Sequence, residues 1–592
     1  MSIPTSLPSA LFCCLLFCIL PNASAQNRSL VQLFPESTVA FVELAPADQW
    51  INHPLRQQVQ ASANFKEVWR SEPVMKLRSG LMLAEFALGD KAENLITKLI
   101  KGGAALAVDK EQQGVALVAK TESKDWLESY LKKLVKLTRD EATKKKEDDP
   151  LKETEYRGLL AYKTKDGIIA VLDDFLLITN KDTLAKIIAD RYVDRSADGF
   201  EQTEQYLQFA KDQNQATEHS ATGTEVGWMT VDIQSLREAG VAPDLLGGKA
   251  KDFGAEMILG GLLAVLHQTP TVSGTLRLSD SKVSLSLDSP YQTGWGGEER
   301  AFFFGEEGKG HAMPLLQSEN RIAGLSAYRD VSQLWLRAGD LFDATVNDQL
   351  AQADSTLTTL FSGRDFGEEI LGAIYPEVRI VVSHQDFQEA SSIPAVKLPE
   401  FALVAKLRKP ALMKQELKRI FQSLVGFINV TSAMNGQPQL DLDIEGDSAQ
   451  QYYTSRFVPE VDRKDNAELP IQFNFSPCLA FVDDFVVLSS TVSLTKQMAV
   501  QLKSSTGESA SPASSTAKNT ILNVQATALR EALEVNRKLM VSQNMVENGH
   551  SKSEAETEVG LLLAVLKMFD QMTVDLSFND KATLETSLYF VK

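Results

Sequence analysis

Cysteine is nearly missing from this chain. Of 592 residues four are cysteine, and three of these, Cys13, Cys14 and Cys18, stand at the very start. Once such a leader is removed only Cys478 remains, so no intramolecular disulfide can form and stability must come from packed cores. Cys478 follows Pro477 at the head of an apolar run, where it reads as a small buried hydrophobe and not as a nucleophile. Histidine is also scarce. His53, His219, His267, His311, His384 and His550 are scattered, and none forms an H-E-x-x-H pair or a similar helical metal motif. A membrane-spanning run is missing as well: the apolar stretch Ala10 to Leu20 has eleven residues, short of the ~20 that a bilayer requires.

Positive charge is in deficit. There are 60 Lys and Arg against 78 Asp and Glu, a net charge of -18. Such a surface repels phosphate backbones and acidic lipid, which excludes nucleic acid and anionic membranes as expected partners. The first 25 positions carry no charge at all. There the apolar stretch is broken by Pro21 and followed by Ala23-Ser24-Ala25, a small-x-small pattern that predicts signal-peptide cleavage before Gln26. The usual basic residues before the apolar stretch are lacking. Cys18 is preceded by Leu15-Leu16-Phe17, without the small residue that lipidation needs. The expectation is an extracytoplasmic protein, periplasmic or secreted, with no transmembrane span in the mature chain.

What the chain does have is repetition. "ALVAK" occurs at 116–120 and 402–406, "DDF" at 173–175 and 483–485, "LREA" at 236–239 and 529–532, and "LLAVL" at 262–266 and 562–566. All four pairs keep their order, and residue types around them correspond. "VALVAKTESKDWLESYLKKLVK" (115–136) and "FALVAKLRKPALMKQELKRIFQSL" (401–424) each read as strand, polar break, amphipathic helix. The offsets place insertions. Between "ALVAK" and "DDF" the second copy is longer by 24 residues (310 minus 286), around 429–451; between "DDF" and "LREA" the first is longer by 17 (310 minus 293), around 199–224. These belong in surface loops. "TGESASPASSTAK" (506–518) reads as a flexible segment, and Phe302-Phe303-Phe304 near the junction are expected to dock between the halves.

Strands separated by short turns argue for antiparallel pairing, with helices over the sheet. The predicted fold class is α+β: two tandem copies of a mainly antiparallel sheet covered by amphipathic helices, with residues 1–25 as signal peptide, 26–300 as first repeat and 301–592 as second.

The motifs whose residue types suit chemistry each have a plainer reading. Asp173-Asp174 and Asp483-Asp484 could be carboxylate pairs, but each lies between two short apolar strands, Ile168 to Leu172 and Phe175 to Thr179 in the first case. A two-residue hairpin often needs φ > 0, which Asp tolerates better than most residues. "DLDIEGD" (441–447) sets Asp441, Asp443, Glu445 and Gly446 like the first half of a calcium loop, yet Tyr452 stands where the bidentate Glu belongs. It also alternates as a strand. "GLSAY" (324–328) lacks the second glycine of a nucleophile elbow, and "LLGGKA" (245–250) lacks the rest of a phosphate loop. Lys132, Lys133, Lys136 and Arg139 read as a solvated helix face. No catalytic, cofactor-binding or metal-ligating residue is therefore nominated, and no cofactor is expected.

"LFPESTVAFVELAP" (33–46), the unit around Asp173-Asp174 and the repeated module resemble a family of exported bacterial proteins catalogued only as a domain of unknown function. The resemblance implies export and a duplicated α+β fold, and it carries no site residues. Function is then expected to be non-catalytic binding of a protein or envelope component. The rival is a hydrolase or an apolar-ligand-binding protein with its pocket between the two repeats.

Overall fold

The run Gly114–Lys120 is apolar at nearly every position, so a strand built from it is apolar on both faces and needs cover on both. The computed structural model describes residues 30–592 except 72–73, 76–77, 80–81, 83–84, 87, 218–222, 362, 388–392, 459–468 and 506–517. The expected signal peptide (1–25), His219 and most of the 506–518 segment lie outside the described residues. The protein is α+β, built on antiparallel sheet with helices packed against it.

In the first half the strands are β1 (Thr38–Leu44), β2 (Ala104–Asp109), β3 (Gly114–Lys120), β4 (Lys152–Tyr156), β5 (Leu159–Lys163), β6 (Ile168–Leu172), β7 (Phe175–Thr179), β8 (Thr224–Asp232), β9 (Thr271–Leu278) and β10 (Lys282–Pro290). Antiparallel pairing gives the order β10-β9-β8-β1-β2-β3-β7-β6-β5-β4. The second half contains β11 (Arg321–Tyr328), β12 (Ile374–Ser383), β13 (Glu400–Leu407), β14 (Leu440–Gly446), β15 (Gln451–Phe457), β16 (Cys478–Val482), β17 (Phe485–Ser489), β18 (Thr520–Gln525), β19 (Phe569–Phe578) and β20 (Lys581–Phe590). Their order is β20-β19-β18-β11-β12-β13-β17-β16-β15-β14, the same sequence of connections.

Asp173 and Asp483 occupy the β6–β7 and β16–β17 turns with φ of 53° and 47°, the left-handed region. In each turn the next carbonyl extends the sheet: Thr121 N–H donates to the Asp174 oxygen and Leu407 N–H to the Asp484 oxygen, both at 2.8 Å. The pairs serve as hairpin tips, each within its own unit.

The compact units do not follow chain order. One comprises the described residues up to Gly240 with Pro270–Asp288 and Tyr589–Lys592; the other comprises Val241–Thr269 and Ser289–Leu588. The helix Phe253–Leu266, which precedes β9 in sequence, thus belongs to the second unit, where Ala264 and Val265 pack with Phe303, Phe304, Leu341 and Phe578. Charged groups fix it there. Glu256 is fully buried and takes two hydrogen bonds from Arg300, at 2.8 and 3.0 Å. Arg329, 1% exposed, donates to the Met257 carbonyl, to the Ile258 carbonyl at 2.7 Å, and to Asn519 and Thr520. Buried charges persist only when so satisfied.

Close approach explains the glycines of this helix. A Cβ on Gly260 would meet Phe303 Cζ at 2.2 Å, whereas one on the corresponding Gly560 meets only the Arg537 Nη2 at 3.4 Å. Gly260→Ala should therefore cost about 1–3 kcal/mol by overpacking, while Gly560→Ala should stabilise its helix by up to ~1 kcal/mol. Urea unfolding checks both, and equal effects would contradict the packing. At the turn, Asp483→Gly should be tolerated and Asp483→Val should lose about 1–2 kcal/mol, because a β-branched residue resists positive φ.

Candidate binding surface

Directly opposed residues of an antiparallel sheet share one face. In the first unit the pairings carry one row through Val42, Leu106, Leu117, Ile178, Ile169 and Tyr162. In the second the matching row is Leu325, Ile380, Leu403, Leu488, Leu479 and Tyr453. Both rows are apolar from strand to strand.

The opposite face of each sheet is core. Ala116, Val118 and Leu177 pack under Leu184 and Ile188 of the helix Asp182–Asp194; Ala402, Val404 and Val487 pack under Leu494 and Met498 of the helix Val492–Ser505. The face bearing the apolar rows is covered only in part. The helix Lys124–Lys145 sets Leu127 and Leu131 on Val171 and Leu176, and the helix Pro410–Met434 sets Met413, Phe421 and Val425 on Leu479 and Val486. Beyond these helices apolar side chains remain open. Val115, Leu106 and Ile178 are 37–42% exposed in the first unit; Phe401, Leu403 and Leu488 are 36–50% exposed in the second. The positions correspond: Val115 and Phe401 each precede "ALVAK", and Ile178 and Leu488 each lie five residues beyond the turn aspartate.

In the first unit this opening forms a groove of about 390 Å³ lined by Leu106, Val115, Leu117, Ile169 and Ile178, with Thr164, Asp166 and Asn180 as its polar groups. The Asn180 amide oxygen already accepts the Val115 N–H at 2.8 Å. The surface supplies burial and carries no acid–base pair.

The residues weighed in the sequence fall elsewhere. Asp173 accepts from the Tyr192 hydroxyl at 2.6 Å and from Lys124 at 3.0 Å, which holds its carboxyl below the usual range, the tyrosine bond being the larger cause. Asp441, Asp443 and Glu445 lie along β14, and Glu445 is ion-paired to Lys496 and Arg456. Ser326 is buried in β11 and donates to the Met313 carbonyl. Lys132 pairs with Glu128 and Arg139 with Asp149 on the exposed side of their helix. His53 caps the helix Pro54–Ala61 through Nδ1, and His550 lies against Asn544. Among the described residues no three His, Cys, Asp or Glu side chains converge as a metal site, and no helix is long and apolar enough to cross a membrane.

Two desolvated titratable groups stand out. Cys478 is fully buried at the start of β16, and burial pushes its thiol up to about 11. Glu43 was not singled out in the sequence, although its parity with Phe41 two residues earlier places it on the core face. It stands opposite Ala105 and Trp228, and burial raises its carboxyl to about 7. Desolvation by burial raises the Tyr206 hydroxyl, with the Glu43 charge adding to it.

No family model matches the chain, and no curated protein matches it. Crystal forms III, IV and I of TP0453 align with 45% of this chain and with 80%, 81% and 78% of that chain. Identity is 8% in each case, and TM-scores are 0.25, 0.24 and 0.22, a likeness too slight to carry an inference.

Cys478 should resist iodoacetamide at pH 8 in the native protein and react fully in urea; fast native alkylation would contradict its burial. For Glu43 the folded value lies above the unfolded one. Its contribution is therefore complete below the ordinary carboxylate range and is lost as pH rises through about 7. Glu43→Gln should remove that decline, of about 3 kcal/mol at most, from the pH profile of urea unfolding.

Proposed function

We propose that this is an exported, non-catalytic binding protein, made of two copies of one module, that holds an apolar surface of a protein or envelope component against its open sheet faces. One observation carries the reading: corresponding positions, Val115 and Phe401, Ile178 and Leu488, are apolar and open to solvent in both halves. Open apolar surface of this kind costs solubility and marks interaction sites. The common strand order and the paired sequence motifs support the two-copy reading. The leader's apolar stretch with Ala23-Ser24-Ala25 supports export.

Burying such a surface stabilises a complex by roughly 25 cal/mol per Å² of apolar area, before the cost of association. Leu403→Asp with Leu488→Asp should abolish capture of a partner from native envelope extract, with its identity read by mass spectrometry. The unfolding midpoint should change little, since these side chains are half open. Retention of the same partner by the double variant would defeat the reading.

The groove at Leu106, Val115 and Ile178 favours a second one, a small apolar ligand, because about 390 Å³ lies within the range of ligand pockets. Native mass spectrometry of protein from its own envelope distinguishes the two by the presence or absence of a bound small molecule.

A further inference from the structure

Arg379 sits in β12, opposite Ser326 of β11 and Val404 of β13, on the core face of the second sheet. It is 4% exposed, and neither Nε nor Nη2 has a hydrogen-bond partner among the described residues. The other buried arginines of this unit are better satisfied: Arg300 is paired twice to Glu256, Arg329 donates to three carbonyls and two side chains, and Arg321 lacks a partner only at Nε, its Nη1 and Nη2 donating to the Leu316 carbonyl and to Asn523. What lies near the Arg379 cation is the Phe485 ring, at 5.0 Å from its centroid. In the first unit the equivalent position, opposite Glu43 and Val118, is Ala105. A guanidinium has therefore been placed where alanine suffices for packing, with two of its nitrogens left without an acceptor. Burying a cation in that way costs several kcal/mol unless an anion joins it.

Further positive charge lies toward the end of the adjoining strand β13. Lys406 stands opposite Phe485, and Lys406 and Arg408 both lie over the Tyr375 ring, at 5.5 and 4.8 Å. Glu377, two residues before Arg379 and opposite Tyr328, acts on its charge without forming an ion pair with it among those described. We propose that Arg379 binds the oxyanion of a small ligand, a carboxylate or phosphate, through paired N–H donors at Nε and Nη2. Arginine suits this role because its planar fork matches two oxygens at once, which lysine cannot do. Both nitrogens are closed to water, so entry requires the partly exposed Phe485 ring to turn aside. Burial lowers the Arg379 guanidinium to about 10 against the opposing charge of Glu377, and a bound anion adds to that opposition. The site is independent of the open sheet surface, which lies on the opposite face.

Thermal unfolding of the full chain in sodium chloride, acetate and phosphate at equal ionic strength tests this. Phosphate or acetate at ten times its Kd should raise the Tm of the wild type by about 2 °C, and R379M should not respond. The salt that acts identifies the oxyanion. On the wild type itself, one arginine Nε–H resonance, identified by its absence in R379K, should move during the same titration, so the result stands even if R379M fails to fold. Equal Tm rises in wild type and R379M, an adventitious ion only, would overturn the proposal, as would arginine resonances that stay still. So would E377Q losing as much stability in chloride as R379M, since Glu377 would then be the internal partner.

Discussion

Everything in this protein follows from central strands that are apolar on both faces. A strand such as β3 or β13 cannot be half-solvated without cost, so each sheet needs two layers of cover. One face obtains it from a helix following the acidic hairpin, where Leu184 and Ile188 or Leu494 and Met498 close the core. The other obtains it from the helix following β3 or β13, and that cover ends short of Val115 and Phe401. The open surface is what remains of a two-sided sheet after one helix has been spent on one end of it.

The two halves complete their cores by different means. In the first, the helix Glu204–Thr217 brings Tyr206 and Phe209 onto Trp228, which also touches Phe41 and stands opposite Glu43. That helix lies in the stretch between the acidic hairpin and "LREA", which is longer in the first half than in the second. In the second unit the helix Phe253–Leu266 is held by Arg329 and by the Glu256–Arg300 pair. The corresponding Glu556 is exposed and pairs with Lys552 instead. Equivalent strands thus sit in unlike surroundings, which is how Ala105 and Arg379 come to occupy one position.

Much of the architecture was legible in the chain. The alternation around Asp173-Asp174 and Asp483-Asp484 predicted two-residue hairpins, and both first aspartates have positive φ. "DLDIEGD" read equally as a strand, and it is one. Phe302-Phe303-Phe304 was expected between halves, and Phe303 and Phe304 lie in the core of the second unit, because Gly260 and Gly261 allow a helix to approach them. Glu43 and Arg379 were passed over, since the desolvation of a charge depends on what covers it.

Composition and periodicity by themselves determined the α+β class, the antiparallel strands, the acidic turns and the apolar character of both strand faces, since these depend on residues near one another in the chain. Only the tertiary structure decided which apolar residues stay open, which helix joins which unit, and which buried charges have partners. Those properties depend on how far a covering helix reaches across the sheet, and that distance is set by contacts between residues far apart in the chain.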